Sequence, residues 1–366
     1  MTSTFEIAGR RVGPGQPVYI VAEMSANHHQ SFDQAVELVH AAHAAGADAI
    51  KLQTYTAETL TLDSDRECFR VGGGTLWDGR TLFDLYGEAF TPWEWQPKLK
   101  AIADELGLHL FSSPFDPTAV DFLEEMRVPA HKIASFELVD LPLIQKAAAT
   151  GKPLIMSTGM ATLGEIEEAV AAVHRVAGKG RLALLKCTSA YPAPPESMNL
   201  RCIEHLSQSF DVPVGLSDHT LGISVPVAAV ALGASIVEKH FTLSRSDSGP
   251  DSAFSLEPDE FKEMVDAVRT AEKALGVIRY GTGKRESASR SFRRSLFAVE
   301  DIPAGQRLTE RTVRSIRPGD GLPPKHLPEV LERRAAVDIS RGTPLAWHHL
   351  EPSATSEGVR ESEGAE

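Results

Sequence analysis

Through its first 276 residues the chain repeats one unit: a short apolar, often β-branched run followed by an Ala/Leu/Glu-rich stretch of helical period. Candidate strands are Val18–Glu23, Asp48–Gln53, Leu108–Ser112, His131–Ser135, Pro153–Ser157, Leu182–Cys187, Val212–Leu216 and Ser235–His240. Between them lie helical patterns such as Phe32–Ala45, Trp93–Leu106, Leu163–Val176 and Val225–Leu232. Near-continuous apolar strands suit parallel strands covered on both faces. Eight such units in about 270 residues predict an α/β fold of the (β/α)8, or TIM-barrel, type. A doubly wound sheet is the rival, but it carries a Gly-rich phosphate turn after its first strand. Here the first strand runs into EMSANHHQ, which has no glycine. GGG at 72–74 sits inside a long insertion after strand two, and GTGKRE at 281–286 puts Arg285 where a P-loop needs Ser or Thr, so neither is a nucleotide turn.

The rest of the 366 residues divides by composition. Residues 277–293 are polar and basic (Lys284, Arg285, Arg290, Arg293) and read as a linker, residues 294–352 carry short strand-like runs broken by Pro and Gly, and 353–366 reads as a disordered acidic tail. The net charge of −13 argues against a sequence-independent nucleic-acid binder. The longest nearly apolar run, Val225 to Val237, contains Pro226 and Gly233 and falls short of the roughly 18–20 residues of a membrane span. Cys68, Cys187 and Cys202 form no CxxC pair, and the opening MTSTFEIAGRRVG lacks an apolar h-region, so a cytoplasmic, reducing location is expected.

In a barrel the chemistry sits where strands end, and here every strand turns polar as it ends. Glu23 ends strand one and Lys51 and Gln53 end strand two. Ser112 and Ser113 follow on strand three, Lys132, Ser135 and Glu137 on strand four, and Ser157 and Thr158 on strand five. Lys186, Thr188 and Ser189 close strand six, Ser217, Asp218 and His219 strand seven, and Glu238, Lys239 and His240 strand eight. Lys51 and Lys132 stand inside apolar strands, where a cation is costly unless it meets an anion or faces a cavity. Either alone fits a snorkelling or salt-bridged lysine. Two of them with several hydroxyls at one end suit a phosphate or carboxylate cradle.

His219 and His240 end adjacent strands, which lie about 4.8 Å apart in a sheet, so their imidazoles could share one ion. Two histidines with water, and Asp218 or Glu238 as ligand or acceptor, suit a labile catalytic divalent metal; two capped or core histidines are the plainer alternative. Glu23 and Glu137 read either as ion-pair partners of the lysines or as acid/base groups. A Schiff-base aldolase would also need a barrel lysine, but it would leave the histidine pair without a role. Trp93 and Trp95 open a helix and read as barrel packing rather than a sugar platform.

The ordered motifs AEMSANH, IKLQTY, SSPFD, KIASFE, STGMA, CTSAYPAP, GLSDHT, EKHFT and GPDSAFSLEP, then RRSLFAVEDIPAGQRLT and RSIRPGDGLPPK, resemble the sialic acid synthase family over about residues 20–350. The last two resemble the small antifreeze-like SAF domain that follows the barrel in that family. Within the family, SANHHQ, LWDGRTLFDLYGEAFTPWEW and SFRRSLF are most similar to the pseudaminic acid synthase subgroup. The resemblance implies condensation of phosphoenolpyruvate with an amino-sugar aldehyde of the 2,4-diacetamido-2,4,6-trideoxy-altrose type, with phosphate released by C–O cleavage. N-acetylneuraminate or legionaminate synthesis by the same chemistry is the alternative, and a non-catalytic sugar-binding barrel is a further one.

Carried over by position, the resemblance implies that His219 and His240 hold a divalent metal, Mn2+ first and Mg2+ or Co2+ as alternatives. It implies that Lys51, Ser113, Lys132, Ser135, Ser157, Ser189 and Ser217 surround phosphoenolpyruvate. Ser113 and Ser189 replace the Thr and Asn of relatives, which keeps a hydroxyl at one and loses an amide at the other. Glu23 and Glu137 become the catalytic carboxylates, with Gln53, Tyr191 and Asp251 around the sugar. Arg317, in a domain-swapped homodimer, would reach the partner's sugar.

Overall fold

The structure, a computed structural model, describes residues 4–74, 77–247, 249–281 and 283–352. The chain forms two compact units, residues 1–276 and 277–366. The acidic tail expected over 353–366 lies outside the described residues.

The first unit opens with a hairpin, β1 (Phe5–Ile7) and β2 (Arg10–Val12). Its turn places Ala8 and Gly9 at φ of 48° and 81°, the doubly positive geometry that matches the twist of paired strands. Next come β3 (Tyr19–Glu23), α1 (Phe32–Ala44), β4 (Ala49–Thr54), α2 (Ala57–Leu60), α3 (Leu82–Ala89) and α4 (Gln96–Leu106). Then follow β5 (His109–Pro114), α5 (Pro117–Glu125), β6 (His131–Ile133), α6 (Leu141–Ala149), β7 (Leu154–Ser157), α7 (Leu163–Ala177) and β8 (Leu182–Cys187). The unit ends with α8 (Cys202–Phe210), β9 (Val214–Asp218), α9 (Ser224–Ala231), β10 (Ile236–His240) and α10 (Pro258–Leu275). The strands β3 to β10 are parallel and close into a barrel, β10 pairing with both β9 and β3.

All eight strands expected from the sequence are present, with ends shifted by up to two residues. Ser135 lies not on β6 but in the 3-10 turn Ser135–Glu137, and Trp93–Trp95 form a 3-10 turn before α4. Trp93 stacks against Phe122 and Trp95 against Phe32 and His28, so both pack as expected. The β1–β2 hairpin was not expected, because three-residue strands are too short to show a period.

Successive strand residues point to opposite faces. Ile20, Ala22, Ile50, Leu52, Leu110 and Val237 therefore face outward into helices α1, α4 and α10. Tyr19, Val21, Ala49, Phe111, Ile155, Ala183, Leu185 and Ile236 fill the barrel interior with Phe5, Ile7 and Val12 of the hairpin. This plug occupies the end where the strands begin. What remains of the interior, at the strands' C-terminal ends, is polar.

The second unit has two short helical turns, α11 (Lys284–Ser287) and 3-10 residues Ala288–Phe292, then an antiparallel pair, β11 (Ser295–Ala298) and β12 (Val313–Ile316), and α12 (Leu327–Leu331). Isolated bridges from Ile302 to Ile339 and from Ala335 to Leu350 tie its loops, around a core of Leu296, Ile302, Leu308, Val313, Val330 and Leu345.

Candidate active site

At the mouth of the barrel two buried lysines flank one carboxylate. Lys51 Nζ, on β4, lies 2.6 Å from Glu23 Oε2 and 3.6 Å from Glu238 Oε1. Lys132 Nζ, on β6, lies 3.6 Å from the same Glu238 oxygen. Hydroxyls complete the ring. Lys51 donates to Ser113 Oγ at 3.3 Å, Lys132 to Ser157 Oγ at 2.7 Å, and Ser217 Oγ to Glu238 at 3.3 Å.

The charges in this ring are unequal. Burial favours neutral lysines, but Glu23 and Glu238 outweigh it at Lys51 and hold that ammonium above its ordinary value. At Lys132 burial wins and the ammonium falls below its ordinary value. Burial also raises Glu23, only partly countered by Lys51, and the charge on Glu238 adds to the rise. Both partners of the Lys51–Glu23 pair are thus raised, which cannot describe a simple mutual ion pair. Glu238, standing between both cations, is held below its ordinary value against its burial, so it keeps the charge and Glu23 is the easier carboxylate to protonate. Glu238 Oε2 is buried without a hydrogen-bond partner.

From this ring a polar chain leads to the histidines. Gln53 Nε2 donates to Glu23 Oε1 at 2.9 Å and to Ser25 Oγ at 3.0 Å, and Ser25 Oγ donates to Asp251. Asp251 Oδ2 lies 3.9 Å from His240 Nδ1. The imidazoles of His219 and His240 are 5.3 Å apart between ring centroids. His219 Nδ1–H donates to the Thr188 carbonyl at 2.9 Å, and burial of the ring is outweighed by Cys187 together with that carbonyl, which hold His219 above its ordinary value. Burial, then the charge on His219, pushes His240 well below the ordinary range, and its Nδ1 is buried without a hydrogen-bond partner. A neutral imidazole with an unused lone pair beside a second one suits a divalent cation. Among the described residues no group of three or more His, Cys, Asp or Glu converges as a metal cage would. The donor set therefore fits a cation only if water and substrate complete its coordination.

Tyr191 packs its ring 4.3 Å from that of His219 and 5.2 Å from that of Phe254. Ser135, Ser189 and Gly159 meet on the rim: Ser135 Oγ accepts from Gly159 N at 3.1 Å, and a Cβ on Gly159 would lie 2.7 Å from that oxygen and overlap Ser189 Oγ. Glu137 is pushed up to about 7 by burial, against its own backbone hydrogen bond and the charge on Lys132. Arg317 is exposed in the second unit, after β12.

Several polar strand-end residues prove to face the helices instead. Ser112 shares a hydrogen bond of 2.6 Å with Thr54, and Asp218 accepts from Lys239 at 2.5 Å and from Thr220, so Asp218 is spent on the outer face. Other residues of the mouth were not singled out. Ser25 carries the link to Asp251, and Cys187 is held down to about 7, against burial, by contact with His219. Trp77 and Tyr86 come from the long insertion, Trp77 stacking on Tyr191 and Tyr86 lying near Glu137. Period-two alternation would have picked out Cys187 as inward-facing with Leu185. Trp77 lies in the motif LWDGRTLFDLYGEAFTPWEW, but no local pattern tells that it reaches the barrel mouth. A surface cavity of about 710 Å³, lined by Gly13, Gln16, Glu204, Ser235 and Lys273, is at the opposite end of the barrel.

A closed parallel barrel whose mouth joins paired lysines, hydroxyls and two neighbouring imidazoles has the architecture of a (β/α)8 enzyme. The model of the NeuB family matches residues 38–280, and that of the SAF domain residues 293–351. The chain is 45% identical to the pseudaminic acid synthase of Helicobacter pylori over 339 residues, 92% of this chain and 99% of that one. It is 47% identical to a pseudaminic acid synthase of Campylobacter jejuni over 328 residues, 90% of this chain and 95% of that one. The crystal structure of N-acetylneuraminic acid (sialic acid) synthetase from Leptospira borgpetersenii in complex with citrate superposes with a TM-score of 0.71 at 31% identity, covering 79% of this chain and 95% of that one. The chain belongs to the NeuB family, with a SAF domain at its C-terminus.

Proposed function

We propose that this chain condenses phosphoenolpyruvate with an amino-sugar aldehyde of the 2,4-diacetamido-2,4,6-trideoxy-altrose type, making pseudaminic acid and releasing phosphate. The observation that carries this reading is the Lys51–Glu238–Lys132 cluster, a cationic cradle within reach of an imidazole pair in one barrel mouth. The likeness to pseudaminic acid synthases supports the choice of sugar.

Lys51 and Lys132, with the hydroxyls of Ser113, Ser135, Ser157, Ser189 and Ser217, hold the phosphate and carboxylate. A divalent metal, Mn2+ first, held by His219 and His240, would polarise the aldehyde oxygen as a Lewis acid. Gln53, Tyr191 and Asp251 orient the sugar. Carbon 3 of phosphoenolpyruvate then bonds to the aldehyde carbon, whose oxygen takes up a proton and becomes a hydroxyl, leaving cationic character at carbon 2. Water adds at carbon 2 and gives its proton to Glu23, whose burial-raised carboxylate makes it a better base. The bond from carbon 2 to the phosphate oxygen breaks, the second proton of the added water passes to the departing phosphate, the lysines stabilise its charge, and carbon 2 is left as the ketone carbon. Glu137 stands ready as a second proton donor or acceptor.

Residues 1–276 form the catalytic domain in this reading, 277–293 a linker, 294–352 the SAF domain and 353–366 a tail. Arg317 serves the site of a second copy in a domain-swapped homodimer. The enzyme works in the cytoplasm; its three cysteines are unpaired, and no helix among the described residues is long and apolar enough to cross a membrane.

One assay tests the reading. Phosphate release is followed with phosphoenolpyruvate, Mn2+ and either the diacetamido-altrose or N-acetylmannosamine, using oxygen label in the bridging position. Label in the released phosphate and preference for the diacetamido sugar are expected. Label retained in the sugar acid overturns C–O cleavage, and preference for N-acetylmannosamine makes the chain a neuraminate synthase. EDTA-insensitive turnover trapped by borohydride would mean a Schiff-base aldolase.

A further inference from the structure

The connection from β4 to α4 is far longer than the roughly two to six residues usual between a strand and its helix. Its two ends are fastened to the barrel. Gln30 Nε2 donates to the carbonyls of Glu88 and Phe90 at 2.8 and 2.6 Å, and Trp93 Nε1 donates to the Tyr55 carbonyl at 3.1 Å. Tyr86 of α3 packs edge-on against the buried Tyr55, their ring centroids 5.7 Å apart. Between these anchors a loop is closed at its base by a bridge between Arg70 and Thr81 and by the bond from Val71 N to the Arg80 carbonyl. That loop carries Trp77 to the barrel mouth. The indole stacks on Tyr191 at 5.7 Å and 58°, and its Nε1–H donates to the Pro250 carbonyl at 3.1 Å, the residue before Asp251.

We propose that Trp77 is a specificity-determining residue, and that this insertion is the wall that selects a 6-deoxy amino sugar. The inference rests on the function proposed above and names which part of the site reads the far end of the sugar. The rings are ordered: His219 and His240 at the aldehyde end, then Tyr191 and Phe254, then Trp77 one ring further out. A sugar whose aldehyde lies at the imidazoles extends its other end along this row. A methyl terminus buries favourably against such rings. A hydroxymethyl group there would lose water and find aromatic carbon in its place. Trp77 acts in two ways, as part of the apolar wall and as the hydrogen-bonded clip that holds Pro250 and Asp251 beside Ser25. Phenylalanine keeps the first role and loses the second, so the two can be separated.

Steady-state kinetics of wild type, Trp77→Ala and Trp77→Phe with the 6-deoxy diacetamido-altrose and with the same sugar carrying a 6-hydroxyl form the test. An added hydroxyl is rejected by an apolar pocket by up to about a hundredfold, so Trp77→Ala is expected to narrow the wild-type kcat/KM preference roughly tenfold. The same variant should raise the KM of the 6-deoxy sugar roughly tenfold while leaving the KM of phosphoenolpyruvate within about twofold. Trp77→Phe should keep most of the preference and raise the sugar KM by about threefold, as loss of one neutral hydrogen bond does. A general loosening of the fold would move both KM values and the melting temperature together. If Trp77→Ala does not fold, Trp77→Phe decides: an unchanged sugar KM overturns the clip. A folded Trp77→Ala with wild-type preference and sugar KM overturns the wall, while the function stands. A wild type that ignores the 6-deoxy sugar overturns the function itself, and the selection of a 6-deoxy sugar with it.

Discussion

Lys239 and the pair Lys51 and Lys132 are all buried in the barrel, and they do opposite things. Lys239 points outward from β10 into the sheet–helix layer, where its Nζ lies 2.5 Å from Asp218 Oδ2 and 2.5 Å from the Thr220 carbonyl. Asp218 in turn accepts from Thr220 N and Oγ1, both at 3.0 Å. Each charge there meets its partner at close range. Lys51 and Lys132 point inward and share Glu238 at 3.6 Å each; Lys51 also meets Glu23 at 2.6 Å, Lys132 otherwise relies on Ser157 and a backbone carbonyl, and Glu238 Oε2 has no hydrogen-bond partner. A closed buried pair holds structure, whereas an open buried cluster is costly unless something else completes it. In the function proposed above, that something is the anionic phosphoenolpyruvate. Sequence places Glu238 and Lys239 side by side, so only the facing of alternate residues separates function from scaffold.

Removing the cation should have the largest effect and should touch only the inner region. EDTA is expected to abolish phosphate release, and His240→Ala to leave an enzyme that Mn2+ cannot restore, with a melting temperature near wild type. Activity that survives both treatments would break the assignment of the imidazole pair. Next, Lys132→Met should lower kcat/KM for phosphoenolpyruvate by roughly a hundred- to a thousandfold, the usual cost of losing one charge-stabilising donor. Its thermal stability should change little, because Lys51 still faces Glu238 while the desolvated ammonium is gone.

Lys239→Met should reverse that pattern. It strands Asp218 in the sheet–helix layer, which costs about 3–5 kcal/mol of stability, while the folded enzyme keeps kcat/KM within severalfold. Chemical denaturation of the two methionine variants side by side makes the comparison direct. If Lys132→Met loses the stability and Lys239→Met the activity, the division between inner and outer lysines is wrong.

How much of this could be read from the sequence follows from the same geometry. The barrel was legible because eight apolar strands recur at a spacing that few other folds accommodate, and the mouth because polar residues recur where strands end. Treating each strand end as one polar cluster mixed two faces, and so Asp218, which serves Lys239, stood beside Ser217 and His219 as a ligand candidate. The β1–β2 hairpin escaped because three residues cannot display a period. The placement of Trp77 escaped for a different reason: it stands in a quoted motif, but Tyr191 and Pro250 lie more than a hundred residues away, so nothing local shows that it reaches the mouth. Arg317 belongs to the second unit, and its expected role depends on another copy of the chain.

The subtlest contrast concerns protons. Glu238 keeps its charge because two lysines face it, while Glu137 on the rim is pushed up to about 7 by burial. A carboxyl raised on folding binds a proton that the unfolded chain has released. Its contribution to stability is therefore full below the ordinary carboxylate range and is lost as pH rises through about 7. At 1.4 kcal/mol per pH unit, that loss is about 3 kcal/mol above neutrality. Glu137→Gln has no proton to lose. It should melt higher than wild type at pH 8, and the gap should close as pH falls through the carboxylate range. The wild-type rate profile should carry a limb near neutral pH that the glutamine variant lacks. A gap that stays constant from pH 4 to 8 would mean that Glu137 is ionised throughout, paired as Glu238 is, and has no proton to exchange with substrate.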